Sequence, residues 1–134
     1  MKCVIEDANK VMKIFLKVMF NEVELRDFIL NCGDVNCKDD LGRTMLHYAV
    51  LNENLNAVRV LLDANARVDE EDNDLRTPMH YLAVIGNTSI AEYILNHTNV
   101  LYKEDLYGQT PVRLAQWKDN FGIVDMLTVG NVYM

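Results

Sequence analysis

Histidine, cysteine and serine most often carry nucleophilic, acid–base or metal chemistry, and this chain has three His, three Cys and one Ser, Ser89. His47 and His80 stand 33 residues apart in the same local context, and that raises the question of metal ligation. Cys32 and Cys37 are spaced Cys-x4-Cys with no second pair at zinc spacing, so no zinc site is expected. Ser89 falls at a helix start outside any Gly-x-Ser-x-Gly elbow, and no glycine-rich phosphate loop is present. The acidic run from Asp69 to Asp74 lacks the central glycine and closing Glu of a calcium loop and reads as a solvated turn. His97 sits where a helix ends, and a cation is favoured there. No catalytic residue, metal or cofactor is therefore expected, and the chain does not read as an enzyme.

Composition narrows the classes further. With 134 residues, 50% of them hydrophobic and 25% charged, the chain can bury one core and make one domain. A net charge of -7 repels phosphate backbones and anionic lipid, so neither nucleic acid nor a membrane is an expected partner. The odd cysteine count (Cys3, Cys32, Cys37) and the lack of a signal peptide point to a reducing, intracellular compartment, cytoplasmic or nuclear. The apolar run from Val11 to Phe20 is interrupted by Lys13 and Lys17 and is read as a helix, not as a span or a secretory segment.

The elements that position these residues recur. Thr44-Met45-Leu46-His47-Tyr48-Ala49, Thr77-Pro78-Met79-His80-Tyr81-Leu82 and Thr110-Pro111-Val112-Arg113-Leu114-Ala115 follow one another at a spacing of 33. Asp39, Asp72 and Asp105 keep the same register, as do Asn54, Asn87 and Asn120. Each Thr is placed as a helix N-cap, with Pro78 and Pro111 at the first helical position, where the missing N–H had no partner to lose. A second helix begins near each Asn, and its apolar residues form a buried stripe: Ala57, Val58, Leu61 and Leu62; Ile90, Ala91, Ile94 and Leu95; Ile123, Val124 and Leu127. Upstream, Phe28-Ile29 and Asp34-Val35-Asn36 fall one period before Leu61-Leu62 and Arg67-Val68-Asp69. There Asn21-Glu22-Val23-Glu24 looks like a capping box that opens a helix burying Leu25, Phe28 and Ile29.

This period and its Thr-Pro-Leu-His-x-Ala-like signature resemble the ankyrin repeat. The resemblance implies an all-α solenoid of helix-turn-helix units joined by short β-turn fingers. It implies a single domain over 1–134, with a degenerate N-terminal repeat at 1–38 and repeats at 39–71, 72–104 and 105–134. In that pattern the histidine bonds within its turn, a structural role. No single unit can offset its chain entropy, about 1.5 kcal/mol per residue, so stability comes from stacking.

Ankyrin stacks typically bind proteins through the finger tips and the exposed side of the first helix. Carried over by position, this selects Asp40, Leu41 and Arg43; Leu51 and Asn52; Asn73, Asp74 and Arg76; Val84 and Ile85; Leu106, Tyr107 and Gln109; and Trp117 and Lys118. Leu41, Leu51, Val84, Ile85, Leu106, Tyr107 and Trp117 are apolar where a merely solvated surface would be polar, and Tyr107 and Trp117 suit the role of anchors. The implied function is a protein-interaction module, an inhibitor or adaptor that masks a signalling protein such as a transcription factor or a kinase, in the manner of IκB-like proteins or inhibitors of cyclin-dependent kinases. A second reading is a subunit that assembles a complex through apolar ends, as a dimer or a heteromer. Both ends suggest it: Val11, Met12, Ile14, Phe15, Leu16, Val18, Met19 and Phe20 exceed what one helix face buries, and 129–134 make a poor polar cap.

Three positions break the pattern. Leu75 occupies the slot held by Gly42 and Gly108, so either the turn is rebuilt or strain is retained. Glu53 and Asp119 replace the glycine found at Gly86, and deviating turns are expected there.

Overall fold

The computed structural model describes residues 8–97 and 102–132, the side chains of 129–132 excepted. Cys3 and the side chains of the apolar run 129–134 lie outside the described residues. The described residues form eight helices: α1 (Ala8–Val18), α2 (Glu22–Asn31), α3 (Met45–Leu51), α4 (Leu55–Asp63), α5 (Pro78–Ile85), α6 (Thr88–Leu95), α7 (Pro111–Trp117) and α8 (Phe121–Val132). The described residues contain no strand. No helix among them is long and apolar enough to cross a membrane.

Each helix contacts the other member of its pair and the next member of its own row, so α1, α3, α5 and α7 line one layer and α2, α4, α6 and α8 the other. The core is the sum of the interfaces between layers and between neighbouring pairs. Ala57, Val58, Leu61, Leu62, Ile90, Ala91, Ile94, Ile123 and Leu127 are buried as the stripes require, and Leu95 and Val124 are half-buried at its edge.

Local chemistry sets the helix starts. The Thr44 and Thr110 hydroxyls accept from the N–H of His47 (3.4 Å) and Arg113 (3.3 Å), and Pro78 and Pro111 open α5 and α7. Such a cap is worth about 1 kcal/mol. Asn54 does two jobs: its Oδ1 accepts from Ala57 N–H at 3.1 Å, and its Nδ2 donates to the Met19 carbonyl of the preceding unit at 2.9 Å. Asn87 likewise caps α6 through Ile90 N–H at 3.0 Å and donates to Glu53 at 3.2 Å.

In the first unit Asn21 caps α2 by accepting from Glu24 N–H at 3.1 Å, and Leu25 and Ile29 are buried. Phe28 is only half-buried: its ring meets Phe15 at 6.4 Å near the edge of the core. Met12, Phe15 and Met19 fill the interior, while Ile14, Leu16 and Phe20 stay exposed, because α1 turns one face to α2 and α3 and has room for no more.

The turns keep their left-handed residue whatever its type. Leu75 has φ 59°, between Gly42 at 75° and Gly108 at 77°, and Glu53 (52°) and Asp119 (58°) match Gly86 (85°). The expected deviation at Glu53 and Asp119 does not occur, since stacking against neighbouring units dictates the backbone and the side chain bears the strain.

Candidate partner-binding surface

Each finger is built on one aspartate. Asp39 Oδ1 accepts from the N–H of Leu41 and Arg43, both at 3.0 Å, and the pattern returns at Asp72 (Asp74, 2.9 Å; Arg76, 3.0 Å) and Asp105 (Tyr107 and Gln109, both 2.9 Å). Backbone pairs close the same loops, Asp72 N–H to Arg76 O at 3.0 Å and Asp105 N–H to Gln109 O at 2.8 Å. Neighbouring fingers are laced by Asn73 N–H to Leu41 O at 3.0 Å and Leu106 N–H to Asp74 O at 2.8 Å. The tip backbones are therefore fixed by hydrogen bonds, and a partner that binds them has little backbone left to order.

The two repeated histidines tie fingers to helices. His47 Nδ1 accepts from Thr44 N–H at 3.1 Å, and Nε2 donates to the Arg76 carbonyl of the next finger at 2.9 Å. His80 repeats this with Thr77 at 3.0 Å and the Gln109 carbonyl at 3.0 Å. Both nitrogens of each ring are engaged and no lone pair remains for a metal. Burial lowers the pKa of both rings and keeps them neutral, against the pull of the carbonyls they face. Among the described residues no group of three or more His, Cys, Asp or Glu could hold a metal ion. His97 turns its Nδ1 back to the Tyr93 carbonyl of the last helical turn at 2.9 Å.

The second oxygen of each finger aspartate faces the helix layer. Tyr48 donates its hydroxyl to Asp39 Oδ2, and Tyr81 donates to Asp72 Oδ2. The Tyr48 phenol is pushed up to about 12 by burial and by the Asp39 carboxylate, so it remains a donor. Between these rings lies the Arg43 guanidinium, 5.6 Å from each ring centre. In the last unit Arg76 Nε donates to Asp105 Oδ2 at 3.1 Å and its guanidinium sits 6.0 Å from the Tyr107 ring centre. Although burial opposes ionisation of Asp105, the Gln109 and Tyr107 N–H groups and Arg76 hold its carboxyl below the usual value.

Of the residues selected from the sequence, Leu41, Val84, Leu106, Tyr107 and Trp117 are exposed, with Tyr107 at 69% and Trp117 at 78%. Asp74 and Lys118 are exposed too, and Arg43 and Arg76 are half-buried against the rings and carboxylate just described. Leu51 and Ile85 are half-buried, so they offer less apolar surface than expected: they close α3 and α5, which pack against each other. The structure brings Arg76, Tyr107 and Trp117 around a single cavity of about 510 Å³ together with Asp105, Gln109 and Leu114. Leu41, Leu51, Val84, Ile85 and Lys118 do not line it. Asp105 and Leu114 were not chosen by sequence position, yet the break in the series Tyr48, Tyr81, Leu114 is visible there.

Comparison with known proteins identifies what this arrangement is like. A family model described as ankyrin repeats (3 copies) matches residues 14–103. The chain is 32% identical over 100 residues to inversin of Gallus gallus, covering 75% of this chain and 8% of inversin. It is 30% identical over 93 residues to transient receptor potential cation channel subfamily A member 1 of Homo sapiens, covering 67% of this chain and 8% of the channel protein. To an ankyrin repeat protein of Fowlpox virus (strain NVSL) it is 34% identical over 116 residues, covering 81% of this chain and 34% of the viral protein. The chain thus spans well under two thirds of the length of each of these relatives.

Proposed function

This chain belongs to the ankyrin-repeat family, whose repeats bind protein partners, and on that premise we propose that it masks one such partner with its last two units. The reading is of a non-enzymatic inhibitor or adaptor of the IκB-like or kinase-inhibitor-like kind, acting on a transcription factor or a kinase inside the cell. Units at 1–38, 39–71, 72–104 and 105–134 would form one binding domain, with contacts from Leu41 and Arg43 through Leu51, Asp74, Arg76, Val84 and Ile85 to Leu106, Tyr107, Trp117 and Lys118. One observation carries it: two large aromatic residues, Tyr107 at 69% and Trp117 at 78% exposure, border one cavity between the fingers and the end of α7. Isolated exposed apolar residues are ordinary, but a cluster around a concavity is the anatomy of an interface core. Truncating aromatic anchors commonly costs about 2 kcal/mol or more of binding, while at such exposure folding changes by roughly 0.5 kcal/mol or less per site. The triple variant Leu106→Ala, Tyr107→Ala, Trp117→Ala should therefore keep its circular dichroism and lose the partners that the parent chain retains in a pull-down. Native-affinity capture of the same partner by the folded variant would place the site elsewhere.

A second reading has its own support. Ile14, Leu16, Phe20, Val23 and Leu30 are exposed on α1, α2 and the turn between them, and so much apolar exposure in the first helix pair suits assembly with a second copy or another subunit. Light scattering on the purified chain separates the two: an obligate dimer favours assembly, and a clean monomer favours masking.

A further inference from the structure

The cavity beside Leu114 lies where the two preceding units carry a tyrosine ring and the last unit carries a leucine. In the two preceding units Tyr48 and Tyr81 are one period apart, and each hydroxyl donates to the Oδ2 of its own finger aspartate. Arg43, from the finger before Tyr81, lies 5.6 Å from the Tyr81 ring centre. One period later the aspartate is Asp105, the preceding finger's arginine is Arg76, and the ring position is Leu114. Leucine is smaller than tyrosine and donates nothing. The space beside it is the cavity of about 510 Å³ bounded by Arg76, Asp105, Tyr107, Gln109, Leu114 and Trp117. At the same Oδ2 that holds a phenol in the earlier units, Asp105 holds Arg76 Nε at 3.1 Å.

We propose that this cavity receives a tyrosine side chain of a protein partner, its ring lying on the Arg76 guanidinium beside Tyr107 and Trp117 and its hydroxyl donated to Asp105. The proposal rests on the last two units being the binding face. The Asp105 side chain is fully buried beside Arg76 in the free protein, so on binding Arg76 must leave Oδ2 and lie against the ring, as Arg43 lies against Tyr81. Charge complementarity selects the occupant. A guanidinium attracts the electron-rich face of an aromatic ring, and an ionised carboxylate accepts strongly from a phenol. Phenylalanine would satisfy the first condition only. Phosphotyrosine has no phenol proton to donate and would set its phosphate against the Asp105 carboxylate, so it is disfavoured relative to tyrosine even with Arg76 beside it.

The test uses the full chain and three probes: N-acetyltyrosinamide, N-acetylphenylalaninamide and N-acetylphosphotyrosinamide. Trp117 is the one tryptophan, so its indole resonance reports on the cavity without ambiguity. The tyrosine amide should shift the Trp117 indole and the amides of Arg76 and Gln109, and bind at least about fivefold tighter than the phenylalanine amide. The phospho form should shift them less at the same concentration. Leu114→Tyr fills the cavity from within and should abolish the shifts. Should that variant fail to fold, Trp117→Ala, at a site 78% exposed, must weaken the tyrosine amide severalfold as read on Arg76 and Gln109. Equal binding of the tyrosine and phenylalanine amides, or binding indifferent to both substitutions, overturns the proposal. Peptides selected from a random library against the full chain separate this from the broader reading. Enrichment of tyrosine, lost with Leu114→Tyr, supports the cavity. Selected peptides that lose affinity for the Leu106, Tyr107 and Trp117 triple variant, yet carry no tyrosine preference and ignore Leu114→Tyr, overturn the cavity proposal and leave the binding face standing. Peptides that ignore the triple variant overturn both.

Discussion

His47 and His80 show how a residue that invites a metal can be fully occupied by structure. Each ring accepts a backbone N–H and donates to the carbonyl of the next finger, and burial lowers its pKa below the ordinary 6.5. The unfolded chain then takes up protons that the folded chain refuses, so this contribution to stability is complete above about pH 6.5 and is lost as pH falls below that value. Asp105, held below its usual 3.8, acts in a separate window and loses its contribution only below about pH 4. Urea midpoints should therefore fall between about pH 7 and pH 5, above the window in which Asp105 acts, and a flat profile there would contradict neutral buried rings. Leu75 makes a second case at this scale. Leu75 is 42% exposed at φ 59°, so only part of it packs while the backbone carries the left-handed penalty. Leu75→Gly should stabilise by about 1 kcal/mol and raise the melting temperature by a few degrees, and a fall would show that the side chain packs usefully.

The finger is the element that converts these residues into a surface. Its aspartate satisfies two backbone N–H groups, its arginine or glutamine carbonyl receives the histidine, and its tip bonds to the neighbouring tip. Gly42 is needed twice over: φ is 75°, and an added Cβ would stand 2.5 Å from the Asn73 side chain and 2.7 Å from its backbone nitrogen. Gly108 shares the positive φ but has nothing within 4 Å. Alanine at Gly42 should therefore destabilise clearly more than alanine at Gly108, where only the conformational penalty of about 1 kcal/mol applies. Thermal melts of the two variants check this, and equal losses would mean that the fingers are less tightly laced than the hydrogen bonds indicate. The order of helices, their caps and their stripes was legible beforehand, because Thr, Pro and Asn act on their own helix and apolar spacing needs only local periodicity. How far Phe28, Leu51 and Ile85 are buried was not legible, since the degree of burial at a helix edge depends on how the neighbouring pair sits.

At the scale of the molecule, two layers of helices share one continuous core, and each unit is stable through its neighbours. Helix α4 packs against α2, α3 and α6, whereas the packing of α8 is mainly against α6 and α7. Hydrogen exchange should accordingly be slowest in α3 to α6 and faster in α8, and uniform protection would show a single cooperative unit without the gradient that nearest-neighbour stacking produces. The sequence alone determined the period, the helix pairs and the family, because each of these is written in local spacing. It also contained the substitution of Leu114 for tyrosine, but not what that substitution leaves behind. Only the tertiary structure showed Asp105, Arg76 and Trp117 meeting around a cavity, since these residues come from two fingers and a helix end separated in the chain. The same holds for Leu75, Glu53 and Asp119: sequence marks them as exceptions, and the packing of adjacent units decides that the backbone keeps its turn and the residue takes the strain.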